Sequence, residues 1–166
     1  MSLYGSRQLV ESMRAVRQNT ILMAGDIPEE KLAFRATPET RSVAETLVHI
    51  AWLRTADHLM HEELRLDSLD GFDFTALLAK SAAEERVARS KVEIINMLRV
   101  EGERAARWVE GLSNATLSER ISFPGGGSAS RFEMLLGTKE HELQHRAQLT
   151  VLQRMIGIVP RFTGLA

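Results

Sequence analysis

The sequence predicts an all-α protein, a four-helix bundle, and three observations support this. Four segments carry apolar residues at the helical spacing of three and four. The signals between them are capping residues, glycines and prolines instead of alternating strand patterns. The chain has 166 residues, 44% of them hydrophobic and 26% charged, which is a globular composition with enough length for a core. We therefore expect a single domain over residues 1–166.

The first predicted helix runs from about Ser6 to Ala24 and ends at Gly25. Its apolar stripe consists of residues three or four positions apart: Leu9, Met13, Val16 and Thr20. The connection from Asp26 to Arg41 contains two of the four prolines. We expect it to be a packed loop with one helical turn.

The second predicted helix begins at a capping box, Ser42 to Glu45, and continues to about Arg65. The third covers roughly Ala82 to Glu110, and Gly102 weakens its middle. One face of this third helix is apolar: Val87, Ile94, Leu98, Ala105, Trp108 and Val109.

The connection from Leu112 to Ala129 contains three successive glycines, Gly125 to Gly127. It is long for a bundle turn, so it is either a lid or rim of a site or a flexible connector. The last predicted helix begins at a second capping box, Ser130 to Glu133, and runs to about Ile156 before Gly157.

Charge and composition exclude several classes of function. Lys and Arg number 21 against 22 Asp and Glu, a formal net charge of −1, which argues against nucleic-acid binding by bulk charge. There is no cysteine, so disulfides, thiolate metal ligands and a cysteine nucleophile are excluded, and any thiol chemistry needs an external thiol. The longest stretch without a charged residue is Ile121 to Ser130, and the N-terminus has no apolar signal core. We expect a cytoplasmic protein that does not enter the membrane.

Helical phase, counted at 100° per residue, divides the five histidines into some that face the core and some that face water. On the last helix His145 lies about 40° from His141, and both fall inside an apolar stripe. On the second helix His49 faces inward, whereas His58 and His61 are expected to face water, beside Arg54 and Glu62.

Three inward imidazoles require a common explanation, because each buried without a partner costs about 1–3 kcal/mol. A metal supplies one, since His141 and His145 at i and i+4 together with His49 present three nitrogens and leave positions for water or substrate. The alternative for any single histidine is an ordinary hydrogen bond to a carbonyl or an acid.

Two other motif interpretations fit less well. His141-Glu-Leu-Gln-His145 matches the H-E-x-x-H signature of zinc proteases, but no residue after His145 is His, Asp or Glu, so a third ligand has to come from upstream. A di-iron carboxylate bundle needs two E-x-x-H motifs, and only Glu142-x-x-His145 is present.

The pattern resembles the DinB/YfiT-like metalloenzymes, which are four-helix bundles with a three-histidine metal site. The resemblance rests on Glu45-Thr-Leu-Val-His49-Ile-Ala-Trp52 and on Lys139-Glu-His-Glu-Leu-Gln-His-Arg-Ala-Gln148. It implies His49, His141 and His145 as metal ligands. It also implies a divalent transition metal, and histidines suit zinc, nickel or iron about equally. Relatives include transferases that use thiols such as bacillithiol or mycothiol, as well as metal-dependent isomerases and hydrolases.

The predicted reaction is attack by a metal-activated water or low-molecular-weight thiol on a small electrophile, by hydrolysis or S-transfer. Glu142 is the candidate catalytic proton carrier, at about 100° from His141, although a solvated surface acid fits that direction as well. Glu45 and Gln148 are candidates for hydrogen bonds to a ligand or to metal-bound water, or are polar residues at a cavity rim. Glu101 lies on the apolar stripe of the third helix and is either a partner of the site or an acid at the solvent boundary.

Two further expectations concern partners. A non-catalytic bundle that binds or senses a metal or small ligand is the alternative function, because the sequence shows no certain general base. A second apolar strip on the last helix faces away from the histidines and predicts a homodimer through that helix. Its members are Phe132, Leu136, Leu143 and Ala147.

Overall fold

A computed structural model describes residues 4–161 of the chain. The order of elements is given by these ranges: α1 Ser6–Asp26, α2 Val43–His58, α3 Phe74–Glu85, α4 Lys91–Glu110, α5 Asn114–Ser118, β1 Arg120–Ser122, β2 Ser128–Ser130 and α6 Arg131–Met155. The four long helices α1, α2, α4 and α6 form the bundle, and the short α3 packs on the outside of α2. The predicted all-α four-helix bundle is confirmed. The outermost residues of the expected 1–166 domain lie outside the described part.

Capping explains where the bundle helices begin. Ser42 Oγ accepts the backbone N–H of Glu45, while Glu45 Oε2 accepts the N–H of Ser42 at 2.8 Å. Ser130 and Glu133 form the same reciprocal pair at the start of α6. Both predicted capping boxes are present. The predicted turn between α1 and α2 is also present, as a short 3₁₀ segment at Glu29–Lys31.

The prediction of the third helix is wrong for its first part. The chain forms two helices there, α3 and α4, separated by residues 86–90, and Ser90 and Glu93 make a further capping box at the start of α4. Val87 therefore lies between helices and is 51% exposed, so it does not belong to the buried face. The other five residues of that predicted face lie on α4.

The glycine-rich connection forms a compact hairpin. β1 and β2 pair antiparallel, with Ile121 opposite Ala129, and Ile121 is fully buried. Gly125, Gly126 and Gly127 have φ of 82°, 108° and 84°, values that favour glycine because it lacks a Cβ. The short helix α5 and this hairpin were not predicted, since strands of three residues carry little periodicity.

Two apolar clusters fill the bundle. One surrounds α2 with residues such as Leu47, Ile50 and Leu98, and the other lies between α1, α4 and α6 around Leu9 and Leu135. Phe132 and Leu136 of the predicted dimer strip pack partly against the second cluster, and Ala147 is exposed. Among the described residues, no helix combines the length and apolarity needed to cross a bilayer.

Candidate metal centre

Three histidines from two helices meet in the bundle. His49 comes from the middle of α2, and His141 and His145 come from successive turns of α6. One ring nitrogen of each lies within 4.8 Å of the other two. His141 Nε2 and His145 Nε2 are 2.8 Å apart, and the ring centroids of His49 and His145 are 4.6 Å apart. The structure thus brings together the three residues that the sequence singled out.

The spacing fits a transition-metal ion. Two imidazole nitrogens that bind one ion at about 2.0–2.1 Å lie about 2.9 Å apart when they are at right angles and about 3.3 Å apart at the tetrahedral angle. The observed 2.8 Å between the two Nε2 atoms on α6 is close to the first of these separations. His49 and His145 are buried and His141 is half-buried, so the cluster lies at the edge of the core.

Hydrogen bonds fix the orientation of two of the rings. His49 Nδ1 lies 2.8 Å from Glu85 Oε1 and His145 Nδ1 lies 2.8 Å from Gln148 Oε1. A carboxylate accepts only, so His49 donates from Nδ1, and the amide oxygen assigned to Gln148 places the proton of His145 on Nδ1 as well. Both rings then keep the Nε2 lone pair for a metal, which is the usual arrangement of metal-binding histidines.

The imidazoles are neutral, as metal binding requires. Burial lowers the pKa of His49 to about 4, and the nearby charge of Arg41 acts in the same direction. Burial also lowers the pKa values of His141 and His145.

Glu85 was missed by the sequence analysis. Its Oε1 accepts from His49 and from Ser81 Oγ at 3.0 Å, and its Oε2 accepts from Arg41 Nε at 2.6 Å. Burial alone raises the pKa of Glu85, but the hydrogen bonds from Arg41 and His49 outweigh burial and lower it. One signal in the sequence could have indicated α3, namely Asp73, which caps the helix by accepting from the N–H of Ala76. Nothing in the sequence shows that α3 packs against His49.

Glu142 does not lie where the sequence placed it. It is neither at the edge of the ligand face nor on the surface, but fully buried on the core side of α6. Its carboxylate accepts from Arg17 Nε at 2.9 Å, Arg17 Nη2 at 3.0 Å, Thr20 Oγ1 at 2.9 Å and Arg54 Nη2 at 3.3 Å. Burial raises the pKa of Glu142, yet the two arginines lower it overall, so the group stays ionised. A carboxylate held in this way is poorly suited to carry protons.

The other three candidate polar residues of the site have different contacts in the structure. Gln148 contacts His145, as the hydrogen-bonding prediction required. Glu45 instead forms two hydrogen bonds of 2.6 Å with Arg35, and within residues 4–161 it has none to a histidine. Glu101 pairs with Arg104 at the surface of α4, which matches the solvent-boundary interpretation.

Two residues of the second predicted helix that were expected to face water are buried. Arg54 is 2% exposed because α2 contacts α3, α4 and α6 and has little free surface. His61 is 4% exposed because a π-helical turn, Leu59–Glu63, widens the spacing after α2 and shifts the phase counted from His49. His61 Nδ1 accepts from Arg131 Nη1 at 3.2 Å. His58 remains half-buried, with Nδ1 3.2 Å from Glu63.

A surface cleft of about 1020 Å³ lies next to the side chains that hold the cluster, and the three histidines themselves are not among its lining residues. Glu85 and Gln148, which form hydrogen bonds with His49 and His145, both line it. Its other walls include Arg35, Arg41 and Arg86. The cleft is large enough for a small organic molecule.

Comparison with known proteins decides the family. Residues 12–149 match the DinB superfamily. The chain belongs to the DinB superfamily. The resemblance stated from the histidine segments is confirmed, and the matched range contains all three histidines.

Two solved structures show the fold of this DinB superfamily protein. One is YfiT from Bacillus subtilis, described as a probable metal-dependent hydrolase with an unusual four-helix bundle topology: the TM-score is 0.71 at 14% identity, over 95% of this chain and 91% of YfiT. The other is the DinB-like protein YjoA, also from Bacillus subtilis, with a TM-score of 0.62 at 19% identity over 90% of this chain and 92% of YjoA. No curated protein matches the chain significantly.

Proposed function

We propose that this protein is a metal-dependent enzyme that holds one divalent transition-metal ion on His49, His141 and His145. Zinc, nickel and iron all suit three histidines. The ion would activate water, or the thiol of a low-molecular-weight cosubstrate, for hydrolysis or S-transfer on a small electrophile. The observation that carries the proposal is the convergence of three neutral imidazoles beside a cleft. The description of YfiT as a probable metal-dependent hydrolase supports it.

The chain's own residues would prepare this centre. Glu85 and Gln148 hold His49 and His145 with Nδ1 protonated, so the Nε2 atoms of these two rings need not reorganise when the ion binds. His141 donates from Nε2 to His145 Nε2, so its proton would move to Nδ1 when the ion binds. Arg41 holds Glu85 ionised and in place. Because Glu142 is engaged in the core, Glu85 is the acid nearest to the ligands in the hydrogen-bond network.

The first test is metal content by elemental analysis of untagged protein. We expect about one zinc, nickel or iron per chain, lost in a variant that combines His49→Ala, His141→Ala and His145→Ala. His58→Ala is the matched control, because this histidine lies outside the cluster and contacts Glu63 instead. The control should keep the metal. Protein that takes up no metal even after reconstitution would overturn the proposal.

A binding or sensing protein without turnover is the second candidate. It is favoured by the positions of Glu142 and Glu45, whose carboxylates are both occupied by arginines. Screening metal-loaded protein with thiol and electrophile pairs and with hydrolysable esters separates the two. Turnover that disappears in His145→Ala would exclude a pure sensor.

The homodimer through α6 stays a proposal. Phe132, Leu136 and Leu143 are half-buried, and Ala147 is the exposed member of the strip. Light scattering at micromolar concentration tests it, and a mass of one chain that does not change on dilution would contradict it.

A further inference from the structure

We propose that the cleft beside the histidine cluster selects a substrate or cosubstrate that carries an anionic group, and that Arg41 and Arg86 bind this group. The inference rests on the proposed metal-dependent function, since the same cleft would contain the reacting molecule. It names a chemical class, a carboxylate or similar oxyanion on a small molecule, and it assigns a role to Arg86 and a second role to Arg41, which also holds Glu85.

Arg41 has a free edge. Its Nε donates to Glu85 Oε2 at 2.6 Å, but in the described part of the chain its two Nη groups have no acceptor, and the side chain is 43% exposed. A guanidinium is planar, with one edge formed by the two Nη groups that matches an oxyanion with two parallel hydrogen bonds. Glu85 therefore fixes the guanidinium while leaving that edge available, next to a carboxylate that contacts a metal ligand.

Arg86 is the second cation of the cleft. It lines the cavity and is exposed, and its guanidinium makes no ion pair or hydrogen bond within residues 4–161, although its backbone N–H donates to Ala83 O. By contrast, Arg35 is already occupied by Glu45 through two hydrogen bonds of 2.6 Å. The break between α3 and α4 places Arg86 directly after Glu85, so both arginines belong to the surroundings of one buried acid.

The charged residues that line the cleft, three arginines and three glutamates, sum to zero, and two of them have no partner in an ion pair. Arg35 pairs with Glu45 and Arg41 pairs with Glu85. Arg86 and Glu39 remain, and a bound divalent ion would add two positive charges to this sum. Glu39 opposes an anion, so its removal should strengthen anion binding, whereas removal of either Arg86 or Arg41 should weaken it.

The test uses protein loaded with Co²⁺ and three small thiols that differ in charge: 3-mercaptopropionate, 2-mercaptoethanol and cysteamine. Titration of the thiolate-to-cobalt absorption band gives a Kd for each thiol. We expect 3-mercaptopropionate to bind at least about tenfold more tightly than 2-mercaptoethanol, and cysteamine to bind least tightly.

Variants separate the arginines from attraction to the metal alone. Arg86→Gln and Arg41→Gln should each reduce the preference for 3-mercaptopropionate several-fold, Arg41→Lys should restore only part of it, and Glu39→Gln should increase it. Arg7→Gln is the control, because this exposed arginine pairs with Glu11 and does not line the cleft. The cobalt d–d spectrum and content verify that each variant keeps an intact centre.

Each contrary result has a distinct meaning. If cobalt binds but the thiol preference is the same in wild type, Arg41→Gln and Arg86→Gln, the inference is overturned while the metal centre stands. A protein with bound cobalt and no absorption band with any of the thiols also overturns the inference. If cobalt does not bind at the histidines, both the inference and the proposed function fail.

Discussion

Replacing Glu142 tests whether its buried carboxylate stabilises the folded protein. The perturbation is Glu142→Gln, which removes one negative charge and almost no volume. In the folded protein the carboxylate neutralises Arg17 and Arg54 together with Asp57, which pairs with Arg54 at 3.2 Å. Burial raises the pKa of Asp57 to about 6, so it is ionised at neutral pH and the four groups sum to zero charge. The substitution leaves one uncompensated cation in the core.

The size of the effect follows from the contacts. Four hydrogen bonds, three of them from guanidinium groups, converge on the carboxylate. The amide of Gln presents one acceptor and an NH₂ group, and the NH₂ group has to face guanidinium donors. Breaking a buried ion pair from one side costs about 3–5 kcal/mol, against a total stability of about 5–15 kcal/mol for a typical domain. We expect Glu142→Gln to lose a stability of that order.

Urea unfolding of metal-free protein measures the loss, with an unchanged m-value as the condition for a two-state comparison. Glu140→Gln is the matched control, because Glu140 is exposed on the same helix and should change the free energy of unfolding by less than about 0.5 kcal/mol. Stability within about 1 kcal/mol of wild type, together with complete loss of turnover, would refute the reasoning. Glu142 would then be the catalytic acid or base after all.

Three further predictions concern other parts of the fold. Gly102→Ala should destabilise the protein by about 1 kcal/mol net, because the added Cβ would lie 2.7 Å from Cγ of the buried Arg17, and overpacking outweighs the gain in helix propensity. Gly137→Ala is the control: its added Cβ has no atom within 4 Å, so it should stabilise the protein by about 0.5–1 kcal/mol. The same change in the free energy of unfolding for both variants, measured in urea, would contradict the packing argument. Glu85→Gln should weaken zinc binding about 10–100-fold by competition titration while the fold is kept, and an unchanged affinity would show that this hydrogen bond does not tune the site. Burial lowers the pKa of His61 to about 4, so on acidification the unfolded chain binds a proton at this histidine before the folded protein does. The free energy of unfolding should therefore fall by up to about 3 kcal/mol as the pH drops from 6.5 to 4. Urea unfolding of His61→Gln should lack this decrease, and the same pH dependence in variant and wild type would disprove it.

Local sequence patterns predicted much of the fold because they act over a few residues. The capping boxes at Ser42 and Ser130 placed the starts of α2 and α6, since the reciprocal hydrogen bonds form within one turn. A third box at Ser90 has the same pattern and marks the start of α4. It went unused because the apolar periodicity continues across it, which is why α3 and α4 were predicted as one helix.

Helical phase predicted the histidine cluster but not its surroundings. His141 and His145 share an apolar stripe at i and i+4, so their direction follows from α6 alone. Phase failed for His61, because the π-helical turn alters the angular spacing. It also failed for Arg54, because α2 is enclosed by other helices and its polar face does not reach water.

The sequence by itself determined the helical class, the main helix starts and the three inward histidines, because capping and amphipathic periodicity are properties of one segment at a time. Only the tertiary structure decided which buried partners each acid contacts. Glu142 and Glu85 are both acids on amphipathic helices, yet one neutralises Arg17 and Arg54 in the core and the other orients His49 beside the cleft. Their roles depend on which residues from distant parts of the chain lie within hydrogen-bonding distance, and the pattern of a single helix does not contain that information.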